Sequence, residues 1–127
     1  VTMDGNECRH TKGERLLGSF TQYQHYGSCL ALLGGADQHD LERFFSAELN
    51  VTPDTPPAFI WHTANDGAVP VENSLLLAAA LSKAKVPFEL QIYPDGRHGL
   101  GLAKDKPIVC QWPDQCVRFI KEMQWLI

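Results

Sequence analysis

The chain has 127 residues, 44% of them hydrophobic and 20% charged, which leaves room for one domain with a real core. The net charge is −4 and no Lys/Arg cluster occurs, which argues against a nucleic-acid surface and an anionic-membrane anchor. No apolar run is long enough to span a bilayer; the longest, Leu75 to Leu81, gives way to Ser82 and Lys83.

Val1 to Gly5 reads as the last half of a strand running into its loop, so the chain is expected to begin inside a fold, with an upstream segment of the same protein as a partner. No signal-peptide pattern is present, and localisation stays open. A polar, Gly-rich stretch follows from Asp4 to Gly35 and holds Tyr23, His25 and Tyr26. Connections of that length are usually lids or binding loops. With the next element they make residues 4–50 a lid-like insert carrying one helix. That helix is expected over Asp37 to Leu49, with Asp37 as N-cap and Leu41, Phe44, Phe45 and Leu49 on a core-facing stripe. The prolines at 53, 56 and 57 then force an extended entry into the central strand.

Phe59 to Thr63 reads as a buried strand, apolar, aromatic or β-branched apart from His62. Asn65, Asp66 and Gly67 are turn chemistry, and Pro70 suits a first helical position. Val71 to Lys85 is the next helix, with so little polar face in its middle that it should be buried against a sheet. Phe88 to Tyr93 is the second strand, with Phe88, Leu90 and Ile92 expected inward. Strand, helix and strand make a βαβ unit with parallel strands. A Gly-rich loop from Pro94 to Gly101 leaves that strand, and Asp114 to Met123 is the closing helix, with Cys116, Phe119, Ile120 and Met123 on its inner stripe. No Pro/Ser-rich linker divides the chain, so residues 1–127 read as a single unit. The four cysteines are scattered and read as free thiols, although Cys110 and Cys116 could pair.

Asp66 and His98 lie on the loops after two successive parallel strands, 98 − 66 = 32 residues apart. Neighbouring strands sit about 4.8 Å apart, so the two loops can bring a carboxylate and an imidazole into contact. A carboxylate on one ring nitrogen fixes the tautomer and leaves the other nitrogen to act as a general base. Singly, each has a plainer reading: Asp66 as a turn residue, His98 as a polar residue in a glycine loop. Their order, acid before His, matches that of α/β-hydrolases. Gly96, Gly99 and Gly101 are placed to let that loop turn tightly.

The run Pro57 to Ser74, with its Asp66-x-x-Val69-Pro70 core, resembles the acid-loop region of acetyl-xylan-esterase-like α/β-hydrolases, relatives of the prolyl oligopeptidase superfamily. Val86 to Gly101 resembles their His-loop region, and Trp112, Pro113 and Asp114 the start of their last helix. The likeness holds from about Leu33 to Met123, and residues 19–29 look divergent. It implies an α/β fold: part of an α/β-hydrolase, a short parallel sheet of about three strands with flanking helices. It further implies a serine hydrolase of carboxylic esters that works without a cofactor on an acylated small molecule or sugar. Asp66 would be its acid and His98 its base. The family's nucleophile motif, Gly-x-Ser-x-Gly, is missing from this chain. Tyr26-Gly27-Ser28 lacks the second glycine and a preceding strand, and Ser74 and Ser82 fall within a helix. Serine and oxyanion hole are therefore expected upstream of Val1, and the isolated chain is expected to be inactive. A peptidase of the same superfamily and a non-catalytic module remain as alternatives. The module reading is tied to a raw sheet edge at Val1 to Met3 that could pair in a homo-oligomer. A metal is not expected, because no two-plus-two ligand spacing occurs.

Overall fold

A computed structural model describes Ala31, Arg43, Phe44 and residues 46–125. Two strands, β1 (Ala58–Thr63) and β2 (Phe88–Tyr93), pair in parallel with an unbroken register from Ala58↔Phe88 to Thr63↔Tyr93. Helix α1 (Glu72–Ala84) connects them, and α2 (Trp112–Glu122) closes the chain. The βαβ reading and its parallel pairing hold. The described sheet has two strands rather than three, and the third, expected at Val1 to Met3, lies outside the described residues.

Side chains alternate across a strand, so the register divides the sheet into two faces. One face carries Ala58, Ile60, Phe88 and Leu90 and packs on Leu77 and Leu81 of α1 and on Val86 just after it. Ile60 and Leu81 are each only 1% exposed, and truncating either to Ala removes about 2–5 kcal/mol. The other face carries Phe59, Trp61, Glu89 and Tyr93 and holds α2 at four points. Phe59 meets Phe119 at 5.9 Å between ring centroids, and Trp61 stacks on Trp112 at 5.2 Å. Tyr93 donates its hydroxyl to Gln115, and Arg118 pairs with Glu89. Because the strands are parallel and end together at Thr63 and Tyr93, the loops that follow them leave from the same end of the sheet.

The end of α1 is a Schellman turn. The Val86 N–H reaches back to the Leu81 carbonyl and Lys85 N–H to Ser82, while Lys85 sits at φ 60. Val86 and Leu81 share the same apolar cluster, which clamps the turn before Pro87.

Several expectations are corrected. Ser46 is extended, and Ala47–Leu49 is a separate 3-10 turn, so the residues before Asn50 are not the end of one continuous helix. Asn50 donates to the carbonyls of Arg43, Phe44 and Ser46, capping the chain from outside. Phe44 is 69% exposed rather than core. Asp37 and the rest of the lid-like stretch, apart from Ala31, Arg43, Phe44 and residues 46–50, lie outside the described residues. Pro70 precedes α1 instead of opening it; its carbonyl accepts from Asn73 in a tight lead-in turn. Leu75 and Ala79 of α1 face outward, because only one side of the helix meets the sheet. On β2 the alternation reverses at its end. Ile92 is exposed and Tyr93 buried, because residues 100–109 fold over the Tyr93 side. Of the expected α2 stripe only Phe119 is fully buried. Cys110 and Cys116 are free thiols. Among the described residues no helix is long and apolar enough to cross a membrane.

Candidate active site

Asp66 stands three residues past the end of β1. The chain reverses there because Asp66 N–H closes a turn onto the Thr63 carbonyl, 3.2 Å away. Its own carboxylate then organises the next three residues: Oδ1 accepts the N–H of Ala68 at 2.8 Å and of Val69 at 2.9 Å. This is an Asx-type turn, the conformation that the Asn-Asp-Gly run favours. The side chain is 6% exposed. Oδ2 faces away from the turn and accepts from His98 Nδ1 at 2.9 Å.

His98 reaches Asp66 because the loop after β2 is stitched to the loop after β1. Asn65 accepts the Gly96 N–H through Oδ1 and donates to Asp95 through Nδ2, both at 2.8 Å. Thr63 Oγ1 donates to the Gly96 carbonyl. Gly99 and Gly101 adopt φ +72 and +57, the left-handed region where glycine carries no penalty. Gly96 serves differently: a Cβ there would lie 2.7 Å from Thr63 Cγ2. Lys106 Nζ anchors Asp95 from the far side at 2.7 Å. The His98 side chain is 43% exposed on an open depression lined by Asn65, Gly67, Ala68, Gly96, Arg97 and Lys106.

Burial, the largest single influence on the Asp66 carboxyl, pushes its pKa up. The Val69 N–H, His98, the Ala68 N–H and the charge on His98 together outweigh it, so the pKa lies below the usual aspartate value of 3.8. The carboxylate therefore stays ionised at neutral pH beside the ring it orients. Asp95 is lowered as well, by Lys106 and then Asn65, but its side chain lies mostly in solvent and bonds Asn65 and Lys106 rather than His98.

A model of the prolyl oligopeptidase family matches residues 19–124. The chain belongs to that family. The match takes in residues 19–32, so it begins earlier than the expected start near Leu33 and includes the stretch expected to be divergent. Over 85 residues the chain is 45% identical to endo-1,4-beta-xylanase B of Butyrivibrio fibrisolvens, covering 67% of this chain and 13% of that protein. Its structure is similar to an acetyl ester-xyloside bifunctional hydrolase from Caldicellulosiruptor lactoaceticus. There the TM-score is 0.80 and the identity 46%, over 84% of this chain and 39% of that one. A carboxylesterase of Lactobacillus plantarum WCFS1 matches with TM-score 0.64 and 29% identity, over 77% of this chain and 42% of that one. The fold is accordingly part of an α/β-hydrolase, and the chain covers less than half of each of these relatives.

Of the residues singled out in the sequence, Asp66 and His98 are brought together, and Ser28 lies outside the described residues. Ser74, set aside as helical, is completely buried and bonded to His62. Asn65, Asp95 and Lys106 were not anticipated in the site. The Asn-Asp-Gly run marked a turn, and nothing in it marked Asn65 as the bridge between loops. Among the described residues no three His, Cys, Asp or Glu side chains converge in a way that could hold a metal.

Proposed function

We propose that this prolyl oligopeptidase family chain carries the acid and the general base of a serine esterase. The observation behind that reading is the 2.9 Å bond from His98 Nδ1 to Asp66 Oδ2, with Oδ1 already held by two backbone amides. A neutral ring that donates through Nδ1 has its lone pair on Nε2. Nε2 takes the proton of a serine hydroxyl as the serine oxygen attacks the ester carbonyl. It then returns that proton to the departing alcohol oxygen. In the second half a water gives its proton to Nε2, attacks the acyl group, and the serine leaves with the proton. Asp66 stays ionised throughout and stabilises the imidazolium.

The serine and the oxyanion donors come from a part of the enzyme outside these 127 residues, since no Gly-x-Ser-x-Gly occurs within them. The substrate is a carboxylic ester, with acetyl groups on xylose-based sugars as the first class to test. The likeness to an acetyl ester-xyloside hydrolase and to a carboxylesterase supports that choice. The prolyl oligopeptidase family name supports a second reading, hydrolysis of peptide amides by the same pair.

A chimera separates these readings. The segment of the Caldicellulosiruptor hydrolase that this chain matches is replaced by this chain, and the rest supplies the serine. Turnover of acetylated xylo-oligosaccharides, abolished by His98→Ala, is the expected result. A chimera that cleaves a peptide amide and ignores acetyl esters would support the peptidase reading. Labelling of the 127-residue chain alone by a fluorophosphonate would show that a nucleophile lies within it.

A further inference from the structure

His62 is the polar exception in an otherwise apolar strand, and it is 3% exposed. Both ring nitrogens are bonded. Nε2 lies 2.9 Å from the Val69 carbonyl, and Nδ1 lies 2.7 Å from Ser74 Oγ on α1. A carbonyl only accepts, so Nε2 carries the hydrogen; in the neutral ring, Nδ1 accepts from the Ser74 hydroxyl.

Val69 is the residue whose N–H holds Asp66 Oδ1. Its side chain is 2% exposed, so the residue is fixed by packing, by His62 and by Asp66 together. His62 Nε2 also stands 3.5 Å from Asp66 Oδ2, the oxygen that His98 Nδ1 bonds from the open side. Oδ2 thus sits between two imidazoles, one buried and one facing the depression.

We propose that His62 is a positioning residue for the Asp66–His98 pair. Anchored to α1 by Ser74, it fixes the Val69 carbonyl and limits rotation of the Asp66 carboxylate, so that Oδ2 is presented to His98 Nδ1. The inference rests on the reading of Asp66 and His98 as acid and base. It adds a chain of contacts from α1 to the His98 ring: Ser74, His62, the Val69–Asp66 turn, His98.

The test is the ring tautomer of His98, read from imidazole ¹⁵N shifts of the 127-residue chain at a pH where the rings are neutral. The wild type is expected to show His98 protonated on Nδ1 and His62 on Nε2. In His62→Leu the His98 Nδ1–H to Nε2–H ratio is expected to fall roughly fivefold, the bias that about one net hydrogen bond supplies. His62→Gln, which keeps a side-chain N–H near the Nε2 position, is expected to restore most of it. Ser74→Ala keeps the ring and removes only its anchor, and a fall of roughly twofold is expected for partial loss of that one bond. An unchanged His98 ratio in a folded His62→Leu chain would reduce His62 to a satisfied core side chain. If His62→Leu does not fold, an unchanged ratio in Ser74→Ala overturns the proposal. A wild-type His98 protonated on Nε2 would instead overturn the acid–base reading itself, a separate failure.

Discussion

Thr63 Oγ1 donates to the Gly96 carbonyl across 2.6 Å, so the last residue of β1 ties down the loop that leaves β2. That contact needs glycine. A Cβ at residue 96 would press on Thr63 Cγ2 and Leu100 Cδ1, both 2.7 Å away. Leu100 can swing aside, but the β-branched Thr63 has little rotamer freedom. Gly96→Ala is expected to destabilise by about 1–3 kcal/mol, as other insertions into packed sites do. A lower urea midpoint with an unchanged slope would register this; an unchanged midpoint would mean that the two loops are not in close contact.

Asn65 bridges the same loops through its side chain, with bonds to Gly96 N–H and Asp95. Asn65→Ala removes both. The site is solvent-exposed, so the stability loss is expected to be about 1 kcal/mol. The local effect should be larger than the global one. Amide hydrogen exchange at residues 95–99 should quicken while the core of α1 keeps its protection. Equal protection at 95–99 in both proteins would contradict the bridging role.

Asp66 sets an acid limit on stability. Its native pKa lies below the ordinary value of 3.8, so the native state binds the proton less readily than the unfolded chain. The contribution is therefore complete above that ordinary value and is lost as pH falls through the depressed native one. Asp66→Asn is expected to flatten the acid limb of a stability–pH curve. Asp95 titrates in the same direction, so Asp95→Asn serves as the control; it lies at the surface, where Lys106 is screened. An acid limb that responds to Asp95→Asn and not to Asp66→Asn would contradict the assignment.

Phe119 is the part of α2 that reaches the core, 3% exposed and against the Phe59 ring. Phe119→Ala is expected to cost about 3–5 kcal/mol. Val117, two residues earlier and 45% exposed, is expected to tolerate Ala within about 0.5 kcal/mol. Chemical denaturation of the two variants side by side checks this, and comparable losses would mean that α2 is docked in another orientation.

The β1–α1–β2 unit was legible because each element announces itself locally. Phe59 to Thr63 is too apolar and β-branched for a surface segment, and Phe88 to Tyr93 alternates apolar and polar residues as a half-covered strand does. The proximity of Asp66 and His98 was legible from topology, since parallel neighbours bring successive loops together. What the residues did not reveal was set by tertiary contacts. Ile92 and Tyr93 exchange burial because a later segment covers Tyr93. The expected helix breaks near Ser46, which is held extended. His62 was visible only as an anomaly, a polar ring in a buried strand. Its meaning depends on Ser74, twelve residues away, and on the carbonyl of Val69. Ser74 itself carried no signal, because a serine in a helix is unremarkable until its burial is known.

Whether Asp66 and His98 act as one unit is tested most directly by a double-mutant cycle on ester turnover in the serine-supplying chimera. Asp66→Asn is expected to lower turnover on the order of 10⁴-fold, as loss of the orienting acid does in such triads. Adding it to His98→Ala is expected to cost almost nothing further, because the acid works only through the ring. Losses that multiply in the double variant would show two independent residues and contradict the pairing.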